Sequence, residues 1–225
     1  MKKLNFIKLC SILLLAAVSG LTNAGAMDDV SKLQKGWAEA TYNLSGDAQE
    51  KAFEKLVTQA DNITHQYPSS AETWIWNGII KSSFAGVKGG LEALGLVKDS
   101  RAALQKAISI NPDAMQGSAY TSLGTLYFKV PGWPIAFGDD EQAELLLKKA
   151  LTINPDGIDS NYFYAEFLME DGKYADAKKY LQKAQQAAPR ASRPLADKGR
   201  QQQIRELLAS IDEKLLSSAT NDMGF

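Results

Sequence analysis

The chain has 225 residues, 45% of them hydrophobic and 23% charged, with a net charge of −1. That balance suits one packed domain or a short repeat array and excludes wholesale disorder. A near-neutral charge also excludes nucleic-acid binding through a broadly basic surface.

The first 26 residues differ from the rest. Lys2, Lys3 and Lys8 make a positive start, residues 9–21 are an apolar run, and Thr22-Asn23-Ala24 and Ala24-Gly25-Ala26 are small-residue cleavage sites. This is the three-part plan of a secretory signal peptide, and the run is shorter than the roughly 20 residues a membrane-spanning helix needs. Residues 1–26 are therefore expected to be removed, leaving 27–225 as one helical domain in the periplasm or outside the cell, with no membrane span. Cys10, the only cysteine, follows Ile7-Lys8-Leu9. It stands too early, and too close to a charge, to mark a lipoprotein. The processed chain would then lack cysteine, and with it disulfides and thiolate chemistry.

Beyond residue 26 the elements follow in pairs. Residues 30–43 and 47–66 read as a first helical hairpin closed by Pro68, since proline lacks the N–H that would continue a helix. Asp47 with Glu50, and Ser69 with Glu72, have capping-box spacing. Trp74 and Gly78 open a second unit that Ala107 and Pro112 close, with an inserted segment near 84–97. Tyr120, Leu123, Gly124 and Tyr127 open a third, closed by Ala143, Ala150 and Pro155, with an insertion near 129–138. Asp139, Asp140 and Glu141 place negative charge at the next helix start. In the fourth unit, Gly172 supplies a tight turn, and Ala165, Ala177 and Ala184 allow close helix contact. Ile204, Leu207, Leu208, Ile211 and Leu215 recur at helical spacing as a final helix over the last unit.

Three of the units share one internal signature. Ala107, Ala150 and Ala184 each stand five residues before a proline, and Leu104, Leu147 and Leu181 stand three before those alanines. Such self-similarity is the mark of a stacked repeat. In the last unit Asn161, Tyr164, Ala165, Leu168, Gly172, Tyr174, Ala177, Leu181, Ala184 and Pro189 resemble the tetratricopeptide (TPR) superfamily, and the likeness extends over residues 70–189. It implies an all-α fold: a TPR-like α-solenoid of about four helical hairpins plus a C-terminal capping helix. The stretch Pro131-Gly132-Trp133-Pro134, Phe137-Gly138-Asp139 and Ala143-Glu144 is similar to exported repeat proteins of proteobacteria. More distantly, it is similar to the T component of tripartite (TRAP) periplasmic transporters.

The resemblance implies a ligand in the concave groove lined by the first helix of each hairpin. There it points to Ile75, Ile79, Thr121, Thr125, Tyr162, Glu166 and Met169 as a surface for a protein or peptide partner in the cell envelope, without a basic clamp for a terminal carboxylate. Trp133 and Phe137, in the second insertion, are expected as a plug over the stack or as a pocket wall. Other chemistry is sparse. One histidine, His65, near a helix end, leaves no metal-ligand set and no Ser-His-Asp constellation, so neither a metal, a cofactor nor a catalytic residue is expected. Ala85-Gly86-Val87-Lys88-Gly89-Gly90 lacks the Gly-Lys-Ser/Thr ending of a phosphate loop, and its glycines are expected to let the insertion press on a neighbouring helix. Arg190, Arg193, Lys198, Arg200 and Arg205 form a local basic cluster, read as a solvated face, with an anion site as the alternative. The function expected is a non-catalytic periplasmic scaffold; the alternative is a small-ligand carrier or accessory component of a periplasmic transport system.

Overall fold

The computed structural model describes residues 24–222, and helices are their dominant element. The signal-peptide reading falls on residues 1–23, outside the described residues, except that residues 24–26 belong to the first helix. In that helix Ala26 is buried and Gly25 lies against Tyr67. The helices in chain order are α1 (24–42), α2 (Gly46–Gln66), α3 (Ala71–Lys88), α4 (Ala93–Ile110), α5 (Ser118–Lys129), α6 (Asp140–Ile153), α7 (Ile158–Glu170), α8 (Tyr174–Gln185) and α9 (Pro194–Asp222), with a 3₁₀ turn at Ala114–Gly117 before α5. Consecutive helices pair as antiparallel hairpins, and each hairpin stacks on the next. The result is an all-α solenoid of four hairpins and a long C-terminal helix.

Small residues set how closely each pair approaches. A Cβ added at Gly78 would come within 2.6 Å of Leu104, and one at Gly124 within 2.8 Å of Leu147. Ala165 holds the corresponding place in the last unit, opposite Ala177, and both have no exposed surface. The repeated Leu104, Leu147 and Leu181 and their companions Ala107, Ala150 and Ala184 are all fully buried. The sequence signature is thus the packing seam itself. Ser100 occupies the position that Ala143 and Ala177 hold in later hairpins, and its hydroxyl donates to the Gly78 carbonyl at 2.7 Å. That bond satisfies a polar group that would otherwise be costly inside the seam.

The loops between units repeat their own chemistry. Thr73 donates to the Tyr67 carbonyl at 3.3 Å and Ser160 to the Asn154 carbonyl at 2.7 Å. One residue later, Trp74 Nε1 donates to the Pro68 carbonyl at 2.9 Å and Asn161 Nδ2 to the Pro155 carbonyl at 2.8 Å. Each side chain reaches back six residues and ties the proline turn onto the helix that follows it.

Several local expectations shift. The capping boxes miss the observed starts, by two residues at Asp47 and by one at Ser69. The residues before α2 and α3 are Ser45 and Ser70, and neither side chain bonds the backbone of the helix it precedes. Ser70 donates to the Glu72 carboxylate instead. Asp139 does cap α6, accepting from the Gln142 N–H at 3.0 Å. The segment near 84–97 is not a separate insertion: α3 and α4 simply run longer, at 18 residues each. Nor do its glycines press on a neighbour. A Cβ at Gly86, Gly89 or Gly90 would meet open space, and Gly89 and Gly90 form the turn with positive φ.

Valine in place of Gly124 would drive a side chain into Leu147 and the Ala143 carbonyl. The expected outcome for Gly124→Val is a loss of about 1–3 kcal/mol, read as a lower urea midpoint. The exposed control Leu145→Ala should stay within about 0.5 kcal/mol of the parent.

Candidate functional site

The first helices of the hairpins, α1, α3, α5 and α7, form the concave side, and α9 changes what that side can do. Its C-terminal part packs on the last hairpin, burying Ile204 and Ile211 and pairing Asp212 with Lys178 at 2.6 Å. Its beginning reaches α1 at the opposite end of the stack: Gly199 lies directly against the Tyr42 ring, and Gln203 meets the Tyr42 hydroxyl at 3.4 Å. Ala196 joins the core cluster of the first hairpins. The segment from Arg190 to Gln203 therefore crosses the groove rather than covering only the last unit.

One carboxylate anchors this crossing. Asp159, on the first turn of α7, receives Arg190 at 2.6 Å and Arg200 at 3.0 Å, with Arg193 at 3.8 Å. Asp197 takes the other side of Arg190, accepting from its backbone N–H at 2.6 Å and its Nε at 2.8 Å. Aromatic faces support the cations. Arg200 lies 4.1 Å from the Tyr162 ring centre and 4.5 Å from that of Phe163. Arg193 lies 5.0 Å from Trp76 and 5.9 Å from Trp37. Such placement over ring faces adds attraction where water is excluded.

Burial alone would raise the Asp159 pKa, but Arg200, Arg190 and Arg193 override it and hold the carboxyl well below its usual range. Arg200, whose charge burial opposes, is held protonated by Asp159. Burial, reinforced by Glu166, pushes the Tyr162 hydroxyl up to about 12. All these groups keep their charge state near neutral pH.

Between the crossing segment and the concave helices lies a cavity of about 360 Å³. Trp76, Ile79, Ser82 and Ser83 face it from α3; Ser118, Thr121, Ser122, Thr125 and Lys129 from α5; Asp159 and Phe163 from α7; Trp37 from α1; and Arg193 and Arg200 from the C-terminal segment. The α5 residues recur at intervals of three and four, so one helix face supplies a stripe of hydroxyls.

Of the sequence-predicted groove residues, Ile79, Thr121 and Thr125 come together in this cleft. Ile75 is fully buried in the core and does not face it. Tyr162 is also buried, carrying Arg200 on its ring. Glu166 pairs with Lys129 at 3.5 Å, and Lys129 also binds Glu170. Met169 packs against the core of the last hairpins. Trp133 and Phe137 part company: Trp133 is 89% exposed, whereas Phe137 turns inward, edge-on to Tyr127 and 4.2 Å from the Arg101 guanidinium. Neither faces the cleft. His65 is exposed in the last turn of α2.

The basic cluster is the main correction. Lys198 and Arg205 are solvated, but Arg200 is 6% exposed, and Arg190 and Arg193 are only partly accessible. The groove thus contains cations that its first helices do not supply. Spacing within the repeats could not reveal them, because they belong to the segment after Pro189; the nearest clue was three arginines directly following the last repeat.

Residues 135–210 match the family model described as tetratricopeptide repeat. Among solved structures, a thermophilic TPR protein of Thermus thermophilus aligns at 15% identity over 83% of this chain and 98% of its own, with a TM-score of 0.54. MamA aligns at 17% identity over 77% of this chain and 94% of its own, with a TM-score of 0.43. No curated protein matches the chain. The TPR-like solenoid fold is therefore shown, on the geometry and on the first of these structures.

Removing the shared carboxylate would leave three guanidiniums facing Asp197 alone. Asp159→Asn is expected to lose about 2–3 kcal/mol, below the range for fully buried pairs because Asp159 keeps 27% of its side-chain surface. A carboxyl depressed on folding stabilises above its unfolded pKa, so the gap between parent and variant should hold steady above about pH 5. It should shrink progressively below about pH 4, as the carboxyl of the unfolded chain takes up a proton that the folded state still refuses. Urea melts across this range measure both.

Proposed function

We propose that this protein is a non-catalytic scaffold that holds a segment of a protein or peptide partner in the cleft between its concave helices and α9. Repeat solenoids of this class generally serve as surfaces for protein–protein contact and generally lack catalytic activity of their own. The observation that carries the reading is the cleft itself. Apolar rings, a row of hydroxyls and two arginines converge there on ordered helices, the mixture that fixes a ligand by shape and then by a few polar contacts. Among the described residues no three His, Cys, Asp or Glu side chains are placed to hold a metal ion, and no helix is long and apolar enough to cross a membrane.

The place of action belongs to the same proposal. The charged start, short apolar run and small-residue cleavage sites of residues 1–26 support export, with the partner in the cell envelope. An alkaline phosphatase fusion should be active with residues 1–26 present and inactive without them; equal activity would contradict export.

The cleft volume favours a second reading, since about 360 Å³ falls within the roughly 300–1,000 Å³ of small-molecule pockets. A carrier or an accessory component of a transport system would use it that way. Ser122→Trp separates binding in the cleft from binding elsewhere by filling it from the α5 side. Capture of an envelope partner should fall at least about tenfold, with helicity unchanged. Undiminished capture would place the partner off the cleft. Native mass spectrometry of protein taken from its own envelope would reveal a small molecule if the second reading holds.

A further inference from the structure

Two buried N–H groups in the cleft wall have no acceptor among the described residues: Arg193 Nε and Trp76 Nε1. Both side chains face the cavity, and the Arg193 guanidinium lies 5.0 Å from the Trp76 ring. The surrounding charges are also uneven. Arg190 is bound by both Asp159 and Asp197, and Arg200 by Asp159 and Gln203. Arg193 has only a 3.8 Å approach to a carboxylate already engaged by the other two. Three cations thus face two carboxylates, and the surplus charge falls on Arg193. Lys129, the other cation of the wall, is neutralised by Glu166 and Glu170.

We propose that the cleft is a carboxylate-binding site in which Arg193 is the receiving cation and Trp37, Trp76 and Phe163 hold the apolar or aromatic group attached to that carboxylate. This rests on the reading of the cleft as a binding site and adds the chemistry of what enters it. A carboxylate has acceptor capacity for both stranded donors and would bring its charge to Arg193, the one arginine of the three without a close carboxylate partner. Burial lowers the Arg193 pKa, and Arg190 and Arg200 reinforce that against the pull of Asp159. An arriving anion would relieve this strain. Ser83 Oγ accepts from Trp37 Nε1 at 2.8 Å and donates to the Ile79 carbonyl at 2.8 Å, but makes no hydrogen bond with either stranded donor.

The same chemistry is offered by a free organic acid and by a peptide with an acidic side chain or a free C-terminus. The test is a titration of the full-length protein, followed by tryptophan fluorescence and calorimetry. The probes are phenylacetate against phenylacetamide, and a tripeptide ending in free phenylalanine against its C-terminal amide. Acids should bind at least about tenfold more tightly than their amides, and Arg193→Gln should erase that preference. Phenylacetate binding would identify a free acid as sufficient. Binding of the tripeptide acid alone would identify a peptide end. Either supports the site.

Equal binding of acids and amides, or no binding of either acid up to about 10 mM, would overturn it. The acid–amide comparison in the parent protein stands even if Arg193→Gln fails to fold. The scaffold reading fails separately. If Ser122→Trp blocks partner capture while the parent shows no acid preference, the cleft remains the docking site and the carboxylate assignment falls.

Discussion

Three guanidinium groups share the Asp159 carboxylate, and much of the molecule's working surface follows from that sharing. A solenoid built only from nearest-neighbour hairpins leaves its concave face open. Here the chain returns after the last repeat, and Asp159 fixes the returning segment across that face. Buried charges are expensive unless each finds a partner, so the arrangement is stable only as a set. Asp197, Gln203 and the rings of Trp37, Trp76, Tyr162 and Phe163 complete it.

The scaffold beneath depends on simpler physics. Glycine or alanine at each hairpin seam lets paired helices touch, and the repeated leucine fills the space that remains. Hydroxyl, amide and indole donors then tie the Pro68 and Pro155 turns to the helices that follow them. The hairpins supply a rigid concave wall. On it, the spacing of α5 presents hydroxyls while α7 presents Asp159 and Phe163. Precision in the cleft therefore comes from regular helices, and its charge comes from an irregular connection.

This division explains what the sequence made legible. Leu104, Leu147 and Leu181, with their alanines, recur because every seam solves the same packing problem, so the hairpins and their order could be read directly. Ile79, Thr121 and Thr125, which the family resemblance pointed to, line one cavity. Tyr162 was placed on the groove but is buried, because it supports Arg200 from below, a need that arises only once α9 returns. Arg193 and Arg200 were read as solvated because nothing in local spacing shows that a segment after Pro189 meets Trp37 and Trp76 more than a hundred residues earlier. Trp133 and Phe137 looked like one feature in sequence, yet a short turn around Gly132 and Gly138 sends one outward and the other against Tyr127.

The central claim is that Asp159 holds the Arg190–Gln203 stretch over the concave face. Hydrogen–deuterium exchange comparing the parent with Asp159→Asn tests it most directly. The account predicts faster exchange concentrated in residues 190–203 and in the α1 amides they cover, with the seams of α5 to α8 still protected. An exchange pattern unchanged across residues 190–203 would contradict it.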